Sequence, residues 1–277
     1  TFLSRFDAMA DKAAAQVIAQ YSTSFSLAVR TLPKPERTHI RNLYAVVRIA
    51  DEIVDGTTAQ ANECPETALD LYEEQVLHAP AHRFHTDPVL HAWARTFREC
   101  RLNEDHVRAF FASMRADLTQ TTFTKQELDT YIYGSAEVIG LMCLDVFLRG
   151  RDTPHRSELE DGARALGSAF QKVNFLRDLG EDSRALGRAY FNAKLDDDLK
   201  STLTSQITDE LDRAHTAIPL LPPAARGGVA AAEALFRELN ARIAATPAAE
   251  LRTTRVSVPN HRKLALTARA LANARNQ

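Results

Sequence analysis

The chain has 277 residues, a length that suits one large domain or two small ones. With 45% hydrophobic and 25% charged residues it has the composition of a soluble globular protein, which can bury a core without disulfides or a structural metal. The 34 basic and 36 acidic side chains give a net charge of −2, so there is no basic surplus for nucleic acid, and we exclude that class of partner.

Cys64, Cys100 and Cys143 are widely spaced and form no CxxC or Cys/His cluster, which indicates reduced thiols rather than a zinc site.

Membrane-spanning and targeting signals are absent from the sequence pattern. The apolar stretch from Val138 to Leu148 is shorter than the roughly 18–20 residues of a membrane span and is interrupted by Asp145. The first residues show no signal-peptide pattern. We therefore expect a cytoplasmic enzyme, with contact to a membrane surface as an option.

Helix signals dominate along the chain and strand signals are nearly absent. Segments rich in Ala, Leu, Arg and Glu carry apolar residues near the 3.6-residue period. The predicted helices, in chain order, span 7–20, 35–55, 65–79, 86–101, 103–118, 125–149, 155–184, 203–216, 222–245 and 258–275. Without a long linker or a repeat, this pattern predicts one all-α domain over residues 1–277.

Local signals between these segments mark where helices end and begin. Pro33 and Pro35 prevent the first two helices from joining. Asn103 is an N-cap residue, and Thr124 with Glu127 forms a capping box. Four further prolines stand where helices could begin: Pro154, Pro222, Pro223 and Pro259.

The first acidic cluster is the segment Asp51-Glu-Ile-Val-Asp55. Asp51 and Asp55 are four residues apart, so on a helix the two carboxylates share one face and repel each other unless a cation or solvent intervenes. Arg48, three residues before Asp51, is near enough to bind an anion at the same place. By itself this spacing more often marks a solvated acidic face than a metal site.

The second acidic cluster, Gln171 to Asp182, is richer. Asn174, Asp178 and Asp182 follow an i, i+4, i+8 spacing along one helical stripe, and Arg177 and Glu181 form a neighbouring stripe. The interleaved apolar residues can face a core: Val173, Phe175, Leu176 and Leu179. Two such helices in one all-helical chain favour a cavity lined with oxygen ligands.

The chemistry that fits two opposed acidic helices is diphosphate chemistry. Mg²⁺ takes oxygen ligands, commonly one or two carboxylates together with substrate phosphates. A diphosphate leaves readily only when metal ions or arginines neutralise its charge. Ionisation of an allylic diphosphate leaves a carbocation, which needs a dry pocket of apolar and aromatic groups. The spacing alone therefore predicts prenyl-diphosphate chemistry and nothing narrower.

Four sequence blocks resemble the squalene and phytoene synthases, the head-to-head branch of the isoprenoid synthase fold. They are Tyr21-Ser-Thr-Ser-Phe-Ser26, the segment 43–56 around the first acidic cluster, Tyr133-Gly-Ser-Ala-Glu-Val-Ile-Gly-Leu-Met142, and the segment 174–182 leading to Gly187-Arg-Ala-Tyr-Phe191. The blocks occur in the family's order and cover about residues 15–195. Within the family the chain is most similar to bacterial, particularly actinobacterial, phytoene synthases.

The resemblance implies roles for individual residues. It implies a magnesium site, with Mn²⁺ as a substitute, on Asp51, Asp55, Asn174, Asp178 and Asp182. The catalytic residues that it implies are Asp51, Asp55, Asp178, Asp182, Tyr44 and Tyr190. The substrate-binding residues that it implies are Ser22, Ser24, Val29, Arg48, Gly134, Ser135, Ala136, Gln171 and Arg177. The small residues at 134–136 are expected where a helix bends and makes room for an isoprenoid tail.

Structural alternatives exist for several of these positions. Ser22 and Ser24 could cap a helix instead, and Tyr44 and Tyr190 could be core aromatics. Gly134 could serve helix packing, as could Gly140. One departure from the family lies at Asn192, where relatives often have Pro, and it concerns that loop rather than the metal ligands. Three histidines are interpreted as surface residues: His39, His155 and His261.

The resemblance implies condensation of two geranylgeranyl diphosphates to phytoene through a cyclopropyl diphosphate. No βαβ unit or GxGxxG accompanies the helices, so we expect no NADPH, which the squalene-forming enzymes use. The alternatives are a dehydrosqualene- or squalene-type synthase using farnesyl diphosphate, a relative that prenylates an aromatic acceptor, and a non-catalytic assembly factor. The implied partners are the isoprenoid diphosphates, a membrane surface for product release, and a downstream phytoene desaturase.

Overall fold

The computed structural model describes residues 1–185 and 195–275; the side chains at 23, 24, 180–185 and 275 lie outside the description. Within these ranges the chain is helical and contains no extended strand, which confirms the all-α prediction. The helices are α1 (Phe2–Tyr21), α2 (Thr23–Arg30), α3 (Lys34–Val54), α4 (Thr57–Gln60), α5 (Pro65–His78), α6 (Pro88–Cys100), α7 (Glu104–Thr119), α8 (Lys125–Ile132), α9 (Val138–Leu148), α10 (Arg156–Ala185), α11 (Asp197–Ala217), α12 (Pro223–Ala245) and α13 (Asn260–Arg275).

Local capping chemistry sets most helix starts. Thr124 and Glu127 form the predicted capping box of α8, and Asn103 caps α7 through its side chain. Pro33 is the N-cap of α3, as expected of a residue that ends one helix and starts the next. Helix α11 begins earlier than the predicted residue 203, because Asp196 accepts a hydrogen bond from the backbone N–H of Leu199 and caps the helix there.

Two breaks within the helical pattern also differ from the sequence expectation. The segment after Tyr21 forms a separate short helix, α2, because Ser22 is extended and its hydroxyl accepts a hydrogen bond from the Phe25 N–H at 3.2 Å. The long helix predicted over 125–149 contains a π-helical turn, Tyr133–Glu137, which separates α8 from α9. Both breaks fall at positions that bear on the candidate site.

His39 is buried, so its interpretation as a surface residue is wrong. It lies on the face of α3 that packs under α6, where Nδ1 is 2.9 Å from Thr96 Oγ1. Burial lowers the pKa of its imidazole. Neighbouring Asn42 donates hydrogen bonds to Thr96 Oγ1 and to Asp11 Oδ1, both at 3.1 Å, and these bonds join α1, α3 and α6.

Helix α10 runs through the molecule and packs against α9, α11 and the π-helical turn. Two glycines permit the closest approaches. A Cβ at Gly140 would lie 2.3 Å from the carbonyl oxygen of Ala163, and one at Gly167 would lie 2.4 Å from that of Ala136. The backbones of α9 and of the π-helical turn therefore pack directly against the backbone of α10. A methyl group at either glycine would force the helices apart.

One continuous helical stretch, Lys125–Leu148, is long and apolar enough to cross a membrane, and 67% of its most apolar window is buried inside the protein. Asp145, one of its acidic residues, is also buried and pairs with Arg156 at 2.8 Å. A core helix passes the same length and composition test, so the stretch is weak evidence of a span.

Candidate active site

An apolar cavity lies between α2, α3, α9, α10, α11 and α12. About 890 Å³ of space here is not occupied by protein atoms, and part of it is open to solvent. None of its 23 lining residues is charged. The small residues among them make the room: Ala28, Gly140, Gly162, Ala163, Gly167, Ala214, Ala217, Gly228 and Ala232. Such a cavity binds hydrocarbon and repels ions.

The cavity runs along the first half of α10 towards the acidic second half. Its lining on α10 begins at Leu159 and ends at Phe170. Asn174 is one helical turn further on and Asp178 two turns, so Asp178 lies about 12 Å beyond Phe170 along the axis. At the same end, the ring of Phe25 lines the cavity and stacks on Tyr44 with 5.7 Å between centroids. One end of the cavity is therefore aromatic and adjoins the carboxylates.

Asp51 occupies a desolvated and electrostatically unfavourable position near the end of α3. Burial raises the pKa of its carboxyl to about 8; the charge on Arg48 opposes this shift, and the charges on Asp55 and Asp117 add to it. Asp55 is the C-cap residue of α3, so the two carboxylates of the first cluster follow one another at the end of the helix. A cation bound among these oxygens would relieve the repulsion.

Arg48 is oriented by three neighbours. Its guanidinium hydrogen-bonds Glu52, lies over the ring of Tyr21 at 4.4 Å from the centroid, and has Nη1 3.8 Å from Asp51 Oδ2. Glu52 is held in turn by the Thr57 hydroxyl, which donates to Oε2 at 2.6 Å. The Nε of Arg48 is buried and makes no hydrogen bond in the described structure. The arginine therefore keeps a donor for an anionic ligand.

Two arginines bind Asp178 in the second cluster. Arg177 donates Nε to Asp178 Oδ1 at 2.8 Å and pairs its Nη2 with Oδ2. Arg255, in the segment between α12 and α13, donates its Nε to the same Oδ1 at 2.9 Å. The carboxylate of Asp178 therefore has two positively charged partners.

Aromatic and acidic side chains connect the two clusters. The Tyr131 hydroxyl of α8 donates to Asp117 Oδ2 at 2.9 Å, and its ring packs against Phe175 of α10 at 6.1 Å between centroids. The charge of Asp117 raises the pKa of Asp51, and Phe175 lies about one helical turn before Asp178. The ends of α3, α7 and α10 therefore meet at one end of the bundle.

The other residues singled out in the sequence occupy distinct positions. Ser22 caps α2, Val29 is 3% exposed and lines the cavity, and Tyr44 is half-buried, with desolvation raising the pKa of its phenol. Gln171 and Asn174 are half-buried on α10. The side chains of Ser24 and Asp182, and the whole of Tyr190, lie outside the described residues.

Gly134, Ser135 and Ala136 form the π-helical turn and are not among the residues that line the cavity. A Cβ at Gly134 would lie 2.1 Å from Ser113 Oγ, so this glycine lets the turn approach α7. The Ser135 hydroxyl is buried and has no hydrogen-bond partner in the described structure. Along the helical stretch 125–148, the residues that line the cavity begin at Ile139, in α9.

Sequence reasoning missed Asp117 and gave Arg255 no role. Asp117 stands alone in the segment Arg115-Ala-Asp-Leu, so nothing in its spacing connects it with residues 51–55. Arg255 is 77 residues from Asp178. Its only sequence signal is its position among the basic residues after α12, which indicates no particular contact.

The donor set fits Mg²⁺. The candidate ligands are carboxylate or amide oxygens, which Mg²⁺ prefers. Within residues 1–185 and 195–275, no three acidic, histidine or cysteine side chains converge as a preformed metal site. The like charges around Asp51 are the observation that favours a cation, since ionised carboxylates in a desolvated place need compensation.

The chain has the all-α fold of the isoprenoid synthases. It superimposes on the crystal structure of a dehydrosqualene synthase with a TM-score of 0.80 at 22% identity, covering 99% of this chain and 100% of that one. The family model described as squalene/phytoene synthase matches residues 18–195. The chain belongs to the squalene/phytoene synthase family.

Two relatives are similar in sequence. The phytoene synthase of Arthrospira platensis is 36% identical over 186 residues, 63% of this chain and 58% of the relative. The 4,4'-diapophytoene synthase of Staphylococcus haemolyticus is 30% identical over 201 residues, 72% of this chain and 66% of the relative. The chain thus matches about three fifths of the length of these relatives.

Proposed function

We propose that this protein joins two molecules of geranylgeranyl diphosphate head to head and releases phytoene. The observation that carries the proposal is the uncharged cavity, whose aromatic end adjoins the carboxylates and arginines of α3 and α10. An amphiphile with an anionic head and a long apolar tail fits that arrangement. The similarity to phytoene synthases supports the head-to-head reaction.

The proposed reaction has two stages. One substrate loses its diphosphate, and the 2,3-alkene of the second attacks the allylic cation; loss of a proton closes a cyclopropane that still carries one diphosphate. That intermediate then ionises and rearranges, and loss of a second proton gives the central double bond. Two diphosphates and two protons leave in total, so no reductant is consumed.

The metal in this proposal is Mg²⁺, with Mn²⁺ as a substitute, held by Asp51, Asp55, Asn174, Asp178 and Asp182. When bound, the metal neutralises the charge of the departing diphosphate. Its requirement is testable by chelation and by replacing its ligands.

The chain's own residues bind the head group and protect the cation. Arg48 has a buried donor available, and Arg177 can move from Asp178 to a diphosphate oxygen, which gives charge-assisted hydrogen bonds. The Ser22 hydroxyl accepts from the backbone and keeps its proton to donate. The stacked rings of Phe25 and Tyr44 offer π faces to a cation, and the apolar walls exclude water that would trap it.

The main alternative is the same reaction on two farnesyl diphosphates. The similarity to a diapophytoene synthase favours it. The side chain at position 29 favours the longer substrate, because valine leaves more of the cavity open than an aromatic residue would. We propose C20 on that ground.

The test is product analysis with radiolabelled C15 and C20 diphosphates, Mg²⁺, and NADPH present or absent. We expect the C20 substrate to give phytoene at the same rate in both cases, since the proposed route ends in proton loss. A saturated central bond formed only with NADPH would overturn the choice of reaction. The proposed setting is cytoplasmic, at a membrane surface, because a C40 hydrocarbon is insoluble in water and passes to a desaturase.

A further inference from the structure

Three arginines gather where α2 turns into α3. Arg37 and Arg41 are four residues apart on α3 and share a face. Arg30, at the end of α2, accepts a hydrogen bond from Arg37 Nη1 on its backbone oxygen at 3.4 Å. Arg41 is half-buried, and its Nε is buried without a hydrogen-bond acceptor in the described structure. We call Arg30, Arg37 and Arg41 the arginine cluster.

This cluster lacks the acidic partners that two other half-buried arginines, Arg95 and Arg115, have. Arg95 pairs with Asp11, and Arg115 with Asp70. Across residues 1–185 and 195–275, no carboxylate lies within ion-pair distance of any arginine of the cluster. Burial, and then the charges of the two neighbouring arginines, lower the pKa of Arg41. Like charges held together without a counterion are costly, and a bound anion removes that cost.

The cluster lies where the chain enters α3, beside residues that line the cavity. Leu32 and Ile40 line the cavity, and each is next to or within two residues of a cluster arginine. Ile40 lies on α3 just over three turns before Asp51, about 16 Å away along the helix axis. The arginine cluster and the carboxylates of Asp51 and Asp55 therefore lie towards opposite ends of α3.

We propose that Arg30, Arg37 and Arg41 form a second anion site that takes a phosphate group, separate from the diphosphate site at the acidic clusters. The phosphate oxygens accept hydrogen bonds from the guanidinium groups, including the buried Nε of Arg41. The group can come from the headgroup of an anionic phospholipid or from free phosphate. If the group is a lipid headgroup, the start of α3 would lie against the bilayer, together with the cavity-lining residues Leu32 and Ile40.

The experiment compares wild type, the double variant R37A/R41A, and R83A as a matched control. Arg83 is an exposed arginine in the loop before α6 that forms no ion pair with any residue the structure describes, so its removal changes the net charge without affecting the cluster. Each protein is sedimented with phosphatidylcholine vesicles with and without phosphatidylglycerol. In a second arm, each is titrated with inorganic phosphate in the calorimeter. Circular dichroism and activity on soluble substrate show that the variants are folded.

We expect binding to the phosphatidylglycerol vesicles to fall about fivefold per arginine, hence about 25-fold in R37A/R41A, and to be unchanged in R83A. That result assigns the site to a lipid headgroup. If the variants bind vesicles equally but R37A/R41A loses phosphate binding that R83A keeps, the site belongs to free phosphate. Equal loss in R83A, or no loss in either arm, overturns the proposal.

Discussion

Arg255 donates a hydrogen bond from Nε to Asp178 Oδ1 at 2.9 Å and so connects the segment after α12 to the acidic half of α10. The segment lies beyond residues 18–195, where the family model matches. Leu251 and Val258, on either side of Arg255, are buried in a cluster with Val173 and Leu176 of α10. The arginine is thus anchored by apolar packing and reaches the site as a positioned side chain.

We expect R255Q to lower kcat/KM by about ten- to a hundredfold. The amide keeps much of the length but loses the charge, and hydrogen bonds to charged groups contribute about 1.5–3 kcal/mol. R262Q is the control, because Arg262 pairs with Glu238 in a half-exposed contact away from Asp178. The measurement is the steady-state kcat/KM of both variants. If R255Q keeps the wild-type kcat/KM, the contact between Arg255 and Asp178 does not contribute to catalysis.

Asp51 and Asp178 are expected to be indispensable to turnover. D51N or D178N should lower kcat by several orders of magnitude while circular dichroism and unfolding temperature stay close to wild type, because a ligand is lost and packing is kept. D129N is the control, since Asp129 is exposed on α8. Near-normal turnover in either site variant with Mg²⁺ present would refute the role proposed for that residue.

The pH dependence of magnesium binding follows from Asp51. In the metal-free protein its pKa is raised from 3.8 to about 8, so folding favours the protonated carboxyl. Its contribution to stability is present below pH 4 and is lost as the pH rises through 8. Metal needs the ionised form, so the gain in unfolding temperature on adding Mg²⁺ should increase between about pH 6 and 8.

Differential scanning fluorimetry over that pH range provides the measurement. In D51N, which has no proton to lose at this position, the rise in unfolding temperature caused by Mg²⁺ should be small and nearly independent of pH. D129N should keep the wild-type profile. A D51N profile as steep as wild type would assign the titration to another group.

Val29 is expected to influence substrate length. It lines the cavity and is 3% exposed, so V29F would place a ring where the tail of a C20 substrate needs room. Overpacking costs about 1–3 kcal/mol, which corresponds to roughly ten- to a hundredfold discrimination against the longer substrate. The readout is the ratio of kcat/KM for geranylgeranyl and farnesyl diphosphate. V29A, which adds space, should keep the C20 preference, and an unchanged ratio in V29F would remove Val29 from the tail pocket.

Much of the fold was predictable because it depends on local chemistry. The capping box at Thr124 and the prolines at 33 and 35 act within a few residues, and the helices begin where these signals stand. Val173 and Leu176 were predicted to face a core from helical periodicity, and both are fully buried.

What the sequence did not reveal depends on contacts between distant segments. His39 looks like a surface residue beside basic neighbours, yet α6 covers it, and no local pattern encodes that packing. Asp117 joins the first cluster because α7 ends beside α3, and Arg255 meets Asp178 from the far end of the chain. Such contacts depend on how the helices are arranged in the fold, and the spacing of residues along one helix does not predict that arrangement.

The π-helical turn at 133–137 changes the phase of a helix in mid-course. One extra residue in a turn corresponds to about 100° of rotation, given 3.6 residues per turn. Before the turn, Tyr131 is directed at Asp117 and Phe175; after it, Ile139 and Cys143 face the cavity. Deleting a single residue from the turn would restore a regular helix and swing one of these two surfaces out of alignment. One uninterrupted helical stretch therefore presents two differently oriented surfaces, one towards Asp117 and Phe175 and one towards the apolar cavity, without a loop between them.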